Sequence, residues 1–130
     1  MKKTLLAAAM TLAGTVAAFA DPVEGVWETE RSAGEDFLHV KIAACGEEIC
    51  GTIHKAFDAD GAANAGYEHL GKKMIWSMGA DGGGAYSGGK IWAPDVDKTY
   101  KSKMSLSGNT LKVKGCVAVI CRSQSWTRVN

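Results

Sequence analysis

The chain has 130 residues, 46% of them hydrophobic, with 15 basic and 14 acidic side chains and a formal charge of +1. That length suits one domain with one modest core, and it excludes a two-domain dehydrogenase, a kinase or a large α/β enzyme. A near-neutral chain has no general electrostatic hold on nucleic acid, which is therefore not an expected partner.

Residues 1–20 read as a secretory signal peptide. Lys2 and Lys3 supply a positive start, Leu5 to Ala20 is apolar apart from Thr and Gly, and Ala18-Phe19-Ala20 is a small-x-small cleavage pattern. The apolar run is too short for a permanent span and no second one follows, so the protein is not expected to span the membrane. Cleavage after Ala20 would leave residues 21–130 as one domain, in the periplasm or outside the cell. Four cysteines lie in that part, at 45, 50, 116 and 121. An even count in an exported chain points to disulfides before metal. Three connectivities are possible. The turn-like Gly46-Glu47-Glu48 and the short apolar tip at 117–120 favour the local pairs, Cys45 with Cys50 and Cys116 with Cys121. A four-thiolate zinc site would need reduced thiols and tighter spacing.

From residue 23 onward the pattern is β almost throughout. Candidate strands cover 23–31, 36–45, 49–56, 72–78, 89–93, 98–106, 110–117 and 120–129. Tyr100, Met104 and Leu106 interleave with Lys101, Lys103 and Ser105, as Leu111 and Val113 do with Lys112 and Lys114. Ser107-Gly108-Asn109 is a hairpin turn signal. The segment 57–70 has room for a helical turn, and 79–89, with six glycines, reads as a loop. The expected fold is all-β, a compact antiparallel up-and-down barrel of about eight strands, because an even number closes without free edges.

Several motifs carry no chemistry. Gly84 to Lys90 matches seven positions of a phosphate loop, but Ile91 stands where the magnesium-binding Ser or Thr belongs and no helix follows. Asp58-Ala59-Asp60-Gly61 resembles a calcium loop whose glycine comes two positions early. His39, His54 and His69 form no paired metal spacing, no serine sits in a nucleophile elbow, and the carboxylates single out no acid–base pair. The chain is therefore expected to be neither an enzyme nor a holder of metal or cofactor. Lys101, Lys103, Lys112 and Lys114 fit a solvated strand face, with an anionic surface as the competing use.

Gly25-Val26-Trp27 opens the first strand, while Arg122, Gln124, Trp126 and Arg128 alternate along the last. First and last strands adjoin in a closed barrel, so an early indole can stack beneath a late guanidinium. This pattern is similar to the lipocalin and fatty-acid-binding superfamily. GGKIWAPDVDKTYKSKMSL, LKVKGCV, CRSQSWTRV and the opening DPVEGVW resemble the exported bacterial family catalogued as domain of unknown function 2147. The resemblance implies a compact lipocalin-like barrel and carries no assigned biochemical activity. Trp92-Ala93-Pro94 stands where that family more often has Tyr-Asp-Pro, and Cys121-Arg122-Ser123 where Gly-Arg-Thr is common. The segment before Gly71 lacks an Asn-Pro element, so no role for 57–71 carries over.

The bridges also set the direction of the side chains. A cross-strand disulfide needs both sulfurs on one face. Cys116 shares its face with Lys112 and Lys114, which belong in water. Ile120, Arg122, Gln124, Trp126 and Arg128 then face inward, with Leu111 and Val113 opposite. By the same rule Lys41, Thr52 and His54 point out, and Leu38, Val40, Ile42 and Ile53 point in. Trp27, Val40, Ile42, Ile53, Arg122, Gln124, Trp126 and Arg128 are the candidate ligand-binding residues. One of the two arginines is expected to cap Trp27, leaving the other for a ligand anion. The expected function is binding of a small amphipathic anionic or apolar molecule. The alternative is an envelope interaction module of inhibitor or adhesion type, with a filled barrel and an exposed patch near Tyr86 or Trp92.

Overall fold

A computed structural model describes residues 20–130, and the expected leader, residues 1–20, lies outside them but for Ala20. Eight strands follow one another in a closed up-and-down barrel: β1 (Gly25–Glu28), β2 (Phe37–Cys45), β3 (Glu48–Phe57), β4 (Lys73–Gly82), β5 (Ala85–Ala93), β6 (Lys98–Ser107), β7 (Thr110–Val117) and β8 (Ile120–Arg128). Every neighbouring pair is antiparallel, and β8 returns to β1 with Arg128 opposite Trp27 and Thr127 opposite Glu28. Closure removes the free edges that a chain of this length would otherwise expose.

Alternation decides which side chains enter the barrel. Val40 and Ile42 on β2, Ile49 and Ile53 on β3, Ile75 and Met78 on β4, Met104 on β6, Leu111 and Val113 on β7 and Trp126 on β8 are buried together. Lys41, His54, Lys112 and Lys114 are exposed on the outer face. Gly51 faces inward because a side chain there would crowd Val40 and Ile75, with a Cβ only 3.1 Å from Val40 Cγ1. A bulge in β3, opposite the step from His39 to Val40, lets Ile53 and Ala56 both remain buried.

The glycine-rich segment differs from expectation. Residues 79–89 are not a loop but most of the β4–β5 hairpin, turned at Gly83-Gly84. Glycine is used there for space as well as for turning. A Cβ on Gly89 would stand 2.7 Å from Met78 Cε, so the bare backbone makes room for the Met78 side chain. Segment 58–71 forms turns and one isolated bridge, Phe57 to Ala63, with no helical turn.

The cysteines pair locally, Cys45 with Cys50 and Cys116 with Cys121. Cys116 and Cys121 are directly opposite in the β7–β8 register, whereas Cys45 and Cys50 bridge diagonally across the β2–β3 turn. Up-and-down order puts these two clips at opposite ends of the barrel. Disulfides of this kind belong to an oxidising compartment.

A one-ended cavity and its mouth

The two ends of the barrel are built differently. At the base, residues 21–24 cross beneath the strands. Val23 is buried, and its carbonyl accepts a hydrogen bond from Trp27 Nε1 at 2.9 Å. The Arg128 guanidinium lies 4.4 Å from the Trp27 ring centroid and donates to the carbonyls of Glu24 (3.0 Å) and Pro22 (2.7 Å). On the far wall, the Tyr86 hydroxyl donates to the Asp21 carboxylate. Burial and that hydrogen bond push the Tyr86 phenol well above its usual range. Gly25 is required at this crossing: its φ is +142°, and a Cβ would meet the Asn130 carbonyl oxygen at 2.5 Å. The base is therefore shut by backbone, an indole and a guanidinium.

The upper half is open. A cavity of about 690 Å³ is lined inside by Leu38, Met74, Ile91, Tyr100, Val113 and Trp126. Four connections surround its mouth, between β1 and β2, β3 and β4, β5 and β6, and β7 and β8. They bring Glu30, Ser32 and Asp36, then Tyr67, then Pro94, Asp95 and Val96, and finally Val117 and Ile120 to the rim. Gly115 lines the wall, and the absence of a side chain there helps leave the volume empty.

Carboxylates reach the mouth from several connections. Burial comes first in raising the Tyr67 phenol above its ordinary value, followed by the charges of Asp36, Asp95 and Glu68. Tyr67 is thus ringed by carboxylates from the β1–β2, β3–β4 and β5–β6 connections. Arg122 stands on the opposite side, on β8, with no carboxylate within ion-pair distance; the ion pairs among the described residues are His39–Glu28 and His69–Glu68. Arg31 is engaged elsewhere, 4.6 Å from the Phe37 ring centroid and hydrogen-bonded to the carbonyls of Glu35 and Ala59. Glu30 accepts from the Ser125 amide, and Asp36 from the Ser32 hydroxyl. Gln124 Oε1 accepts from Trp126 Nε1 at 2.8 Å, which leaves the Gln124 NH₂ as a donor at the wall.

His69 locks the β3–β4 connection onto β5, packing edge-on against Trp92 with centroids 5.0 Å apart. Trp92 is half-buried and donates to Asp97. Among the described residues, no group of His, Cys, Asp and Glu is placed to hold a metal ion.

Of the residues expected at a ligand site, Arg122, Gln124 and Trp126 line the cavity. Trp27, Val40, Ile42, Ile53 and Arg128 point into the barrel but lie below the cavity, in the packed lower half. Arg128, not Arg122, stacks on Trp27. Tyr86 is buried at the base, so the exposed apolar patch is not there but on the β7–β8 tip. Tyr67, Asp36, Asp95, Met74 and Ile91 belong to the cavity and were not singled out. Ile91 carried a usable signal, since it shares strand parity with the inward Gly89, whereas the loop residues carried none.

The fold is similar to that of protein HP1028 from Helicobacter pylori, described as belonging to the lipocalin family, with a TM-score of 0.65 and 16% identity over 83% of each chain. At that identity the likeness concerns the fold. No curated protein matches the sequence. Residues 25–128, which run from the base glycine through the stacking arginine, match the family described as an uncharacterised protein conserved in bacteria, DUF2147, and the chain belongs to that family.

Proposed function

We propose that this protein, exported to the periplasm or beyond the cell, binds one small amphipathic molecule in the upper half of its barrel. The observation that carries the reading is the one-ended cavity of about 690 Å³, with an apolar wall below and hydrogen-bonding groups at the rim. An eight-stranded barrel either fills with side chains or holds one small ligand, and here the two outcomes divide the interior between them. A filled barrel, as the interaction-module alternative expects, would leave no such space. The apolar portion of the ligand lies along Met74, Ile91, Val113 and Trp126. Its polar end is acidic and meets Arg122, an exposed cation with no carboxylate within ion-pair distance among the described residues, with the Gln124 NH₂ as a second donor.

Titration with a fluorescent fatty acid, and with its chain-matched alcohol and amine as competitors, tests both parts. Arg122→Met should weaken the acid by roughly tenfold, the value of one charge-assisted hydrogen bond, and leave the alcohol unchanged. Arg128→Met should alter stability and not affinity. Preference for the amine would overturn the anionic headgroup, and no binding of any of the three would overturn the ligand reading.

A further inference from the structure

The β7–β8 hairpin ends in the turn Ala118-Val119, directly beyond the Cys116–Cys121 bridge. Val119 is 94% exposed, Ile120 70% and Val117 60%, and Val96 on the adjacent β5–β6 connection is 53% exposed. These four are the large aliphatics that the mouth end offers to solvent. Ala118 holds φ at +56°, a conformation costly for any residue with a Cβ, and the bridge behind it keeps the tip in that shape. A rigid apolar projection is a poor feature to leave in water unless something receives it.

The face running down from this tip is basic. Lys90 on β5, Lys101 and Lys103 on β6, and Lys112 and Lys114 on β7 are exposed, on the outer side of three adjacent strands. Lys101 stands opposite both Lys90 and Cys116, and Lys103 opposite Lys114. Like charges placed directly across a ladder destabilise it. None of these lysines joins an ion pair among the described residues. Asp81, which shares a shallow hollow with Lys103, Lys112 and Lys114, lies toward the base end and accepts from Ser87. From the bridge, two residues of strand carry the chain about 7 Å to Lys114. The lysines nearest the tip are thus within headgroup distance of any surface the tip enters.

We propose that this end of the molecule docks on an anionic phospholipid bilayer, with Val117, Val119 and Ile120 entering the headgroup boundary and the β5–β7 lysines holding lipid phosphates. A bilayer suits the features better than a folded protein partner. The apolar element is convex and narrow rather than flat, and the β5–β7 face behind it carries lysine, which is depleted at protein interfaces, while Asp95 and Asp97 flank Val96 and keep that part of the rim out of an anionic surface. Among the described residues no helix is long and apolar enough to cross a membrane, and docking of this kind needs none. Docking would turn the cavity mouth toward the lipid. The surface stands on its own observations and does not require the ligand reading.

The test is co-sedimentation of residues 21–130, which hold all eight described strands and the base, with phosphatidylglycerol–phosphatidylcholine vesicles and with pure phosphatidylcholine vesicles. Binding to the anionic vesicles should exceed binding to the neutral ones and fall as salt is raised. Val119→Asp should cut it about tenfold, the value of withdrawing one valine from an apolar environment. Lys101→Gln and Lys114→Gln should each cut it about fivefold. Melting temperatures of these variants should match the wild type, which shows that the barrel is intact whether or not it holds a ligand and separates failure of docking from failure of folding. Absence of vesicle binding, equal binding to both vesicle types, or insensitivity to Val119→Asp and to the lysine variants would overturn the proposal. So would a shift in the oligomeric state of Val119→Asp, which would mark the tip as a protein interface.

Discussion

The Arg128 guanidinium covers the face of the Trp27 indole, 4.4 Å from its centroid, and the two residues are directly opposed in the β1–β8 register. This pair closes the sheet and the base at once. The indole N–H and the guanidinium N–H groups also take up the carbonyls of Pro22, Val23 and Glu24, of which the buried Val23 carbonyl would otherwise be unsatisfied beneath the barrel. Trp27→Ala should cost about 3–5 kcal/mol, a large part of the stability of a domain this size. Arg128→Met keeps much of the packing and should cost less, about 1–3 kcal/mol, from the stranded carbonyls and the lost cation–π contact. Chemical denaturation of both variants checks the order as well as the sizes.

Tyr86 gives the base a pH dependence. Its phenol is raised in the folded protein by burial and by the Asp21 hydrogen bond, so the folded state keeps a proton that the unfolded chain releases near the ordinary tyrosine value of about 10. The stabilisation is complete below that pH and declines as pH rises toward the folded value. Tyr86→Phe should lower stability at neutral pH and show a shallower loss above about pH 10. Melting temperatures of both proteins across the alkaline range measure the difference in slope.

Most of the architecture was legible because a half-buried sheet writes its two faces into the sequence. Lys112, Lys114 and the paired Cys116 settled the direction of Val113 and Trp126 without any structure. Glycine erases that signal, and so 79–89 read as a loop up to the strand expected from Gly89, although Gly79 and Gly88 are strand residues as well. Parity tells which side chains enter a barrel but not how far up the space is filled. Trp27, Val40, Ile42 and Ile53 are inward and yet lie beneath the cavity, because Met78, Met104 and Leu111 pack the lower half beside them. Tyr67, Asp36 and Asp95 reach the mouth on loops, where no period marks them.

Each disulfide closes a very short loop and should contribute about 2 kcal/mol in the chain-entropy model. Replacing Cys116 and Cys121 together by serine should lower stability by that amount and loosen only the mouth end. The Cys45 and Cys50 double replacement should have a similar thermodynamic effect at the base end. Hydrogen exchange by hairpin separates the two, with faster exchange expected at the β7–β8 tip in the first variant and at the β2–β3 turn in the second.

Gly115, opposite Arg122 on β8, offers a way to fill the cavity without replacing a polar side chain. A Cβ there would rest at ordinary contact distance, 3.4 Å from Ile91 Cγ2 and 3.5 Å from Tyr100 Cβ. Gly115→Leu should therefore fold, keep its melting temperature within a few degrees, and project its side chain into the space a ligand would use. Fatty-acid affinity should fall by about tenfold or more, since a rigid wall cannot yield to both.

The most direct measurement is native mass spectrometry of the wild type and Gly115→Leu, both purified without detergent from the cells that make them. The wild type should carry one additional small molecule, extractable by organic solvent, and Gly115→Leu should fly at the mass of the bare chain. A bare chain in both would contradict a barrel that exists to hold a ligand.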